Sequence, residues 1–193
     1  MNANDTFEAG LELLRDLGGE SVRHSRGTLI GHLVATHNLL RDWGAPESLC
    51  LAGLFHSVYG TEGFPIQIAP LAARDVIRKT IGPEAEAIAW AFGMCTNKSF
   101  WHVVSLLSSS GTAEAEYVLT NRISGDGLIC PKERFLSIVN LTLANALEQA
   151  ERLPERYATP SKRKTLNLLL NHSLSGAVLT FQKIYGSTFA QCG

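Results

Sequence analysis

The chain has 193 residues, with 17 basic and 18 acidic side chains. This length suits one core, and we expect residues 1–193 to form a single domain. The near-neutral charge, without a dense Lys/Arg run, argues against a nucleic-acid-binding protein. The N-terminal stretch lacks the basic region of a signal peptide, and no uncharged apolar run reaches membrane-spanning length. The four cysteines form no CxxC pair, so we expect a reduced, soluble, cytoplasmic protein.

Apolar residues recur at helical spacing along almost the whole chain, which predicts an all-α fold. Asp5 is predicted to cap a first helix that ends near Gly18. Thr28 is predicted to cap a second helix that runs to Trp43, and Pro46 to open a third.

The second half of the chain is also predicted to be helical. Pro131 and Ser161 are placed to open two long helices, which end near Leu153 and Tyr185. Residues 108–130, rich in Ser, Gly and Thr, have the weakest helical pattern. The remaining predicted helices span about 69–80, 83–94 and 97–109.

Two histidines stand out in this pattern, His32 in GTLIGHLVATHNLLRDWG and His56 in LCLAGLFHSVYGTEGF. The string LAGLFHS resembles the "aLLHD" signature of the HD metal-phosphohydrolase superfamily, with Ser57 at the position of a metal-binding aspartate. From Arg23 to Phe64 the chain resembles the start of the hydrolase domain of the RelA/SpoT alarmone family. Arg23 precedes His32 by nine residues, as the family's guanine-stacking arginine precedes its histidine.

Two later segments extend the resemblance: TIGPEAEAIAWAF is similar to the family's "fG.ev..lV..vT" helix, and LTLANALEQ to its "vKLADkLyN" segment. The resemblance implies an HD-domain-like helical bundle. It also implies a metal-dependent hydrolase that acts on a phosphorylated or nucleotide-like compound.

The departures from the family lie at its charged positions. The family holds its metal with a histidine, a His-Asp pair and a distant aspartate, and the matching residues here are His32, His56, Ser57 and Asn145. Both anionic ligands are neutral in this chain, so we expect the inherited site to bind hard divalent ions poorly. The family's acidic pair meets Gly60 and Thr61, with Glu62 one residue further on.

Three kinds of site remain open. Glu62 could join His32 and His56 in a two-His, one-carboxylate set that binds a divalent metal such as Fe or Mn. A metal-free site could use His56 and Glu62 as an acid/base pair beside Ser57. The pocket could also be a binding module without catalysis.

Further candidates surround these residues. In some HD-type oxygenases additional histidines hold a second iron, which adds His102 and His172. The predicted substrate-binding residues are Arg23, Tyr59, Thr61, Asn145 and Gln149.

The leading prediction is therefore a small-molecule enzyme on a modified HD scaffold. Its expected partner is a small-molecule substrate, and neither nucleic acid nor a membrane. The rival reactions are those of a non-haem iron oxygenase and of a metal-free lyase or isomerase.

Overall fold

The computed structural model describes residues 3–24, 26–109 and 114–186. Of the described residues 67% are helical, and they form ten α-helices, a short 3₁₀ turn and two small sheets of two strands each. The predicted dominance of helix is confirmed, and two short antiparallel hairpins add to the helices. None of the described helices is both long and apolar enough to cross a membrane.

The elements follow one another with short connections. A 3₁₀ turn at Leu71–Ala73 precedes the fourth helix. In chain order they are α1 (Ala3–Asp16), β1 (Arg23–His24), β2 (Gly27–Thr28), α2 (Leu29–Asp42), α3 (Glu47–Phe55), α4 (Arg74–Ile81), α5 (Pro83–Met94), α6 (Asn97–Ser109), β3 (Glu116–Thr120), β4 (Gly127–Pro131), α7 (Lys132–Arg152), α8 (Pro154–Tyr157), α9 (Pro160–Leu170) and α10 (Ser175–Tyr185).

The helix that carries His32 begins where the sequence predicts. The Thr28 side chain accepts a hydrogen bond from the backbone N–H of Gly31 at 3.1 Å, which caps α2. Asp5, in contrast, lies inside the first turn of α1, because that helix already begins at Ala3. Its predicted role as an N-cap is therefore wrong.

Helix α3 lies in the centre of the core, and every residue from Leu49 to Phe55 is buried. It packs closely against α2 because Gly53 has no side chain: a Cβ there would lie 2.7 Å from Leu40 Cδ1. His56 stands at the C-terminal cap of α3. This close packing brings His56 next to α2 and hence next to His32.

The stretch with the weakest helical pattern contains an antiparallel hairpin, β3 and β4, in which Val118 pairs with Ile129. The side chains of β3 alternate between buried and exposed, as expected for a strand with one face on the core. After β3, Arg122 donates hydrogen bonds to the backbone carbonyls of Gly93 at 2.7 Å and Tyr59 at 2.9 Å. The hairpin thereby holds the segment that follows His56.

The helix predicted from Ser161 to Tyr185 is in fact two helices, α9 and α10. Between them, the backbone N–H of Leu174 donates to Asn140 Oδ1 on α7 at 2.8 Å. This contact from a distant helix satisfies a backbone group in the break, so local helical periodicity could not reveal it.

The contact between α10 and the end of α2 gives a test of the packing. A Cβ at Gly176 would lie 2.6 Å from Trp43 Cα. We expect Gly176→Ala to lower the free energy of unfolding by about 1–3 kcal/mol, because neither backbone can move away without strain. Urea denaturation should show the loss. Gly63→Ala is the control, since a Cβ there meets nothing within 4 Å, and equal stability of the two variants would contradict the packing.

Candidate functional site

His32 and His56 face each other in the core. Their Nε2 atoms are 3.2 Å apart, and the rings meet edge to face at 78°. His32 is fully buried and His56 is 1% exposed. The sequence predicted that these two histidines converge, and the structure brings them together.

The outer nitrogen of each ring has a defined partner. His56 Nδ1 lies 2.7 Å from the carbonyl oxygen of Gly53, which can only accept, so Nδ1–H is the donor. His32 Nδ1 lies 2.6 Å from Glu148 Oε2 on α7. When Glu148 is ionised, His32 also donates through Nδ1. Each neutral ring then points the lone pair of its Nε2 at the other ring.

Arg152 favours the ionised form of Glu148. Its Nε lies 2.9 Å from Glu148 Oε1, one turn along the same helix. The contact is an ion pair without a directed hydrogen bond, since within the described residues neither atom has a hydrogen-bond partner. Burial raises the pKa of Glu148, and the charge of Arg152 opposes that rise.

Burial keeps the histidines neutral. It lowers the pKa of His32 to about 4 and that of His56 to about 3. A third ring, His24, stacks on His32 with centroids 4.3 Å apart, and burial lowers its pKa to about 4. An additional proton between His32 and His56 is therefore disfavoured at neutral pH, whereas metal ions bind the neutral imidazole.

The geometry of the pair suits a shared metal ion. Two ring nitrogens that bind one ion at about 2.1 Å lie about 3.0–3.4 Å apart, depending on the angle between the bonds. The observed Nε2 separation of 3.2 Å falls within this range. Metal-binding histidines also typically donate their other N–H to a carboxylate or a carbonyl, as His32 and His56 do here. The residues present thus fit a divalent ion.

The side chain of Asn145 lies next to the histidine pair. Its amide oxygen favours the protonated form of both rings and raises their pKa values against the larger effect of burial. Gln149 Nε2 donates to Asn145 Oδ1 at 3.1 Å and fixes the orientation of that amide. The described residues include no group of three or more His, Cys, Asp or Glu side chains that could hold a metal. A metal ion at the pair would therefore need neutral oxygens, of which Asn145 and Ser57 offer the candidates, as its further ligands from these residues.

A cavity of about 420 Å³ adjoins this cluster. Its lining does not include His32 or His56, which lie behind it. His24 is part of the lining and contacts His32 by stacking. Of the residues predicted to bind substrate or act beside it, the cavity wall contains Arg23, Ser57, Thr61, Asn145 and Gln149.

Tyr59 does not reach the cavity. It is fully buried, and its hydroxyl donates to Glu86 at 3.0 Å. Arg74 donates to both oxygens of the same carboxylate, at 2.6 and 2.9 Å. Tyr59 is thus part of a buried ion-pair cluster, and its predicted role in substrate binding is wrong.

Glu62 lines the cavity, but its carboxylate accepts a hydrogen bond from the backbone N–H of Asn97, the first residue of α6. An acid at a helix N-terminus is stabilised there by the unpaired N–H groups. The predicted set of His32, His56 and Glu62 is therefore not assembled. His102 and His172, the candidates for a second iron, are absent from the cavity lining within the described residues.

The sequence analysis missed Glu148 and Arg152. A signal was present, because Asn145, Glu148, Gln149 and Arg152 follow the three- and four-residue spacing of one helix face. Leu141 and Ala144 occupy the same region of α7 and are fully buried. Polar residues that continue a buried stripe must find partners in the core.

Comparison with known proteins gives one similarity. Residues 13–97 match a family described as a domain of unknown function, DUF6817. The match includes His32, His56 and Glu62 and ends before α7. No curated protein and no solved structure matches the chain.

The neutral histidines predict a pH-dependent stability in metal-free protein. Unfolded histidines titrate near 6.5, whereas His32 and His56 do so near 4 and 3 when folded. Below pH 6.5 the unfolded chain therefore binds more protons, and stability falls as the pH drops. Each of these two groups contributes up to about 1.4 kcal/mol per pH unit. The raised pKa of Glu148 acts in the opposite direction.

Urea denaturation between pH 7 and pH 5, with chelator present, measures this slope. His24→Phe should reduce it, because it removes one neutral buried histidine and retains an aromatic ring. His102→Gln is the control, since His102 is exposed. A slope that His24→Phe leaves unchanged, or a protein more stable at pH 5 than at pH 7, would contradict the interpretation.

Proposed function

We propose that this protein is a small-molecule enzyme on a modified HD-like scaffold, and that it hydrolyses a phosphorylated compound with the help of a divalent metal ion. The observation that carries the proposal is the pair of facing Nε2 atoms, 3.2 Å apart, on two neutral histidines. The resemblance to the RelA/SpoT hydrolase domain supports the choice of a phosphorylated substrate.

Protein side chains define the metal site. His32 and His56 offer their Nε2 lone pairs, while Glu148 and the Gly53 carbonyl hold the opposite ring nitrogens and fix both tautomers. Asn145 supplies an amide oxygen. These residues would hold a divalent ion, which would supply neutralisation of charge on phosphoryl oxygens and activation of water as a nucleophile.

The donor set predicts which ions are preferred. Imidazole nitrogen suits Fe²⁺ and Zn²⁺, whereas Mg²⁺ and Mn²⁺ favour carboxylate and water oxygens. Of the two metals expected from the sequence, Fe²⁺ fits a site with two imidazole nitrogens better than Mn²⁺ does. The oxygens of Ser57 and Asn145 are neutral, so they would not balance the charge of the ion. An anionic substrate would then balance it.

Residues of the cavity wall complete the site. The hydroxyl of Ser57, directly after His56 and 4% exposed, can donate a hydrogen bond to a substrate oxygen. His24 lies in the wall and is neutral at pH 7 because burial lowers its pKa to about 4. A neutral imidazole in this place can take a proton from water during hydrolysis.

Glu148 gives the sharpest test of the metal site. Glu148→Gln should weaken Fe²⁺ or Zn²⁺ binding by about 10- to 100-fold, because it removes the carboxylate that orients His32. Titration calorimetry under anaerobic conditions measures this affinity. The matched control is Glu151→Gln on the same helix, since Glu151 forms an exposed ion pair with Lys183.

The same variants test the reaction. Release of inorganic phosphate from a panel of phosphate monoesters should require the metal and be lost in His56→Ala, with circular dichroism to verify the fold. Metal binding without phosphate release would retain the metal site and reject the hydrolase. Equal metal affinity in the parent and in Glu148→Gln would reject the metal site.

Restoring the two missing charges gives an independent prediction. In Ser57→Asp with Asn145→Asp, two carboxylates should join the two histidines and favour Mn²⁺. Mn²⁺ at a hundredfold excess over its dissociation constant should then stabilise the variant by about 2.7 kcal/mol, which a thermal shift detects. The metal-free variant should be less stable than the parent, because neighbouring buried carboxylates repel. A folded variant with no gain in Mn²⁺ affinity would show that these positions do not face the histidine pair.

A further inference from the structure

Three cations, Arg23, Arg156 and Lys162, line the cavity beside the histidine cluster. Other arginines are paired: Arg26 with Glu155, Arg74 with Glu86 and Arg134 with Glu84. Within the described part of the chain, no salt bridge involves a cation of the cavity wall. The one acid in that wall, Glu62, is bound to the N-terminus of α6. The cavity is therefore net positive, although the chain as a whole is nearly neutral.

Two of these cations are grouped at the corner between α8 and α9. The charged ends of Arg156 and Lys162 lie 5.6 and 5.8 Å from the centre of the same ring, that of Tyr157. Lys162 also stands in the first turn of α9, where the helix dipole adds partial positive charge. Two positive groups and a helix N-terminus thus lie around the Tyr157 ring in the cavity wall.

The corner is held in place from two sides. The ion pair between Arg26 and Glu155, at 2.9 Å, links α8 to the turn between β1 and β2, and Arg23 is on β1. On the other side, the hydroxyl of Tyr185 donates to the carbonyl oxygen of Tyr157 at 2.6 Å. The corner is therefore linked both to the β1–β2 turn and to the end of α10.

Another part of the cavity wall is aromatic. Phe92, Phe100 and Trp101 all contribute to the lining, and Phe92 also meets the ring of His56 edge to face. A cavity of about 420 Å³ is large enough for a ring-sized group as well as an anion. Its wall therefore combines a cationic corner with an apolar aromatic surface.

We infer that Arg156 and Lys162 form an anion-binding subsite that selects phosphate monoesters of ring-sized apolar alcohols. This rests on the proposed function, because it names the substrate class of the same cavity. The subsite lies in the α8–α9 corner, beyond the segments that resemble the hydrolase family. The two cations bind the phosphate oxygens, and the aromatic wall takes the organic group.

Phenyl phosphate is the probe, and its affinity is measured by calorimetry with the metal-loaded protein and again in the presence of chelator. Arg156→Gln with Lys162→Gln should weaken binding by about tenfold or more, since charge-assisted hydrogen bonds are lost. Both residues are exposed at the surface, so the variant should fold normally. Added NaCl should also weaken binding to the parent.

Arg15→Gln is the matched control, because Arg15 forms an exposed ion pair outside the cavity. Inorganic phosphate should bind the parent more weakly than phenyl phosphate, since it cannot use the aromatic wall. Unchanged affinity in the double variant would overturn the subsite, and equal affinity for the two phosphates would overturn the apolar part. Because the chelator arm needs neither metal nor turnover, failure there is distinct from failure of the proposed hydrolase.

Discussion

The chain of contacts from Glu148 through His32 and His56 to the Gly53 carbonyl is the interaction on which this structure depends. It joins α7, α2 and α3 at the point where the three helices cross in the core. A buried polar group that loses its partner costs about 1–3 kcal/mol. Each member of this chain therefore depends on the others for a partner. A change in the packing of the three helices would also change the geometry of the site.

The histidine pair lies in a buried polar cluster that also contains Glu148 and Arg152. With Glu148 ionised, each ring donates through its Nδ1–H, to Glu148 or to Gly53. The two Nε2 lone pairs then face each other and repel unless a positive charge lies between them. A proton fills that place poorly because burial lowers the pKa of both rings. The divalent ion of our proposal would occupy that place, since it binds neutral imidazole nitrogens, and this is the reason to propose a metal site here. Arg152 then acts through Glu148, since it favours the carboxylate that orients His32.

Sequence predicted the features with local causes. The Thr28 cap, the α5 helix from Pro83 and the register of the two histidines depend on neighbouring residues, and all three are present. Two predictions that failed have distant causes. Asn140 on α7 accepts a hydrogen bond from the backbone of Leu174, at the break between α9 and α10. Glu62 accepts a hydrogen bond from the backbone of Asn97 at the start of α6.

Glu148 shows where sequence reasoning stopped. The search was for a carboxylate close to His56 in the chain, whereas the carboxylate that contacts the pair comes from α7, 116 residues after His32. It binds the outer nitrogen of the ring and not the side that faces His56. Ser57 and Asn145 are neutral where the resemblance to the HD hydrolases leads us to expect aspartates, and Glu148, paired with Arg152, does not supply that negative charge. The cluster and the cationic corner therefore have the same electrostatic consequence. In the cluster the proposed metal ion would bring positive charge that its neutral ligands do not balance, and in the corner Arg156 and Lys162 have no salt-bridge partner among the described residues, so an anionic substrate would compensate both.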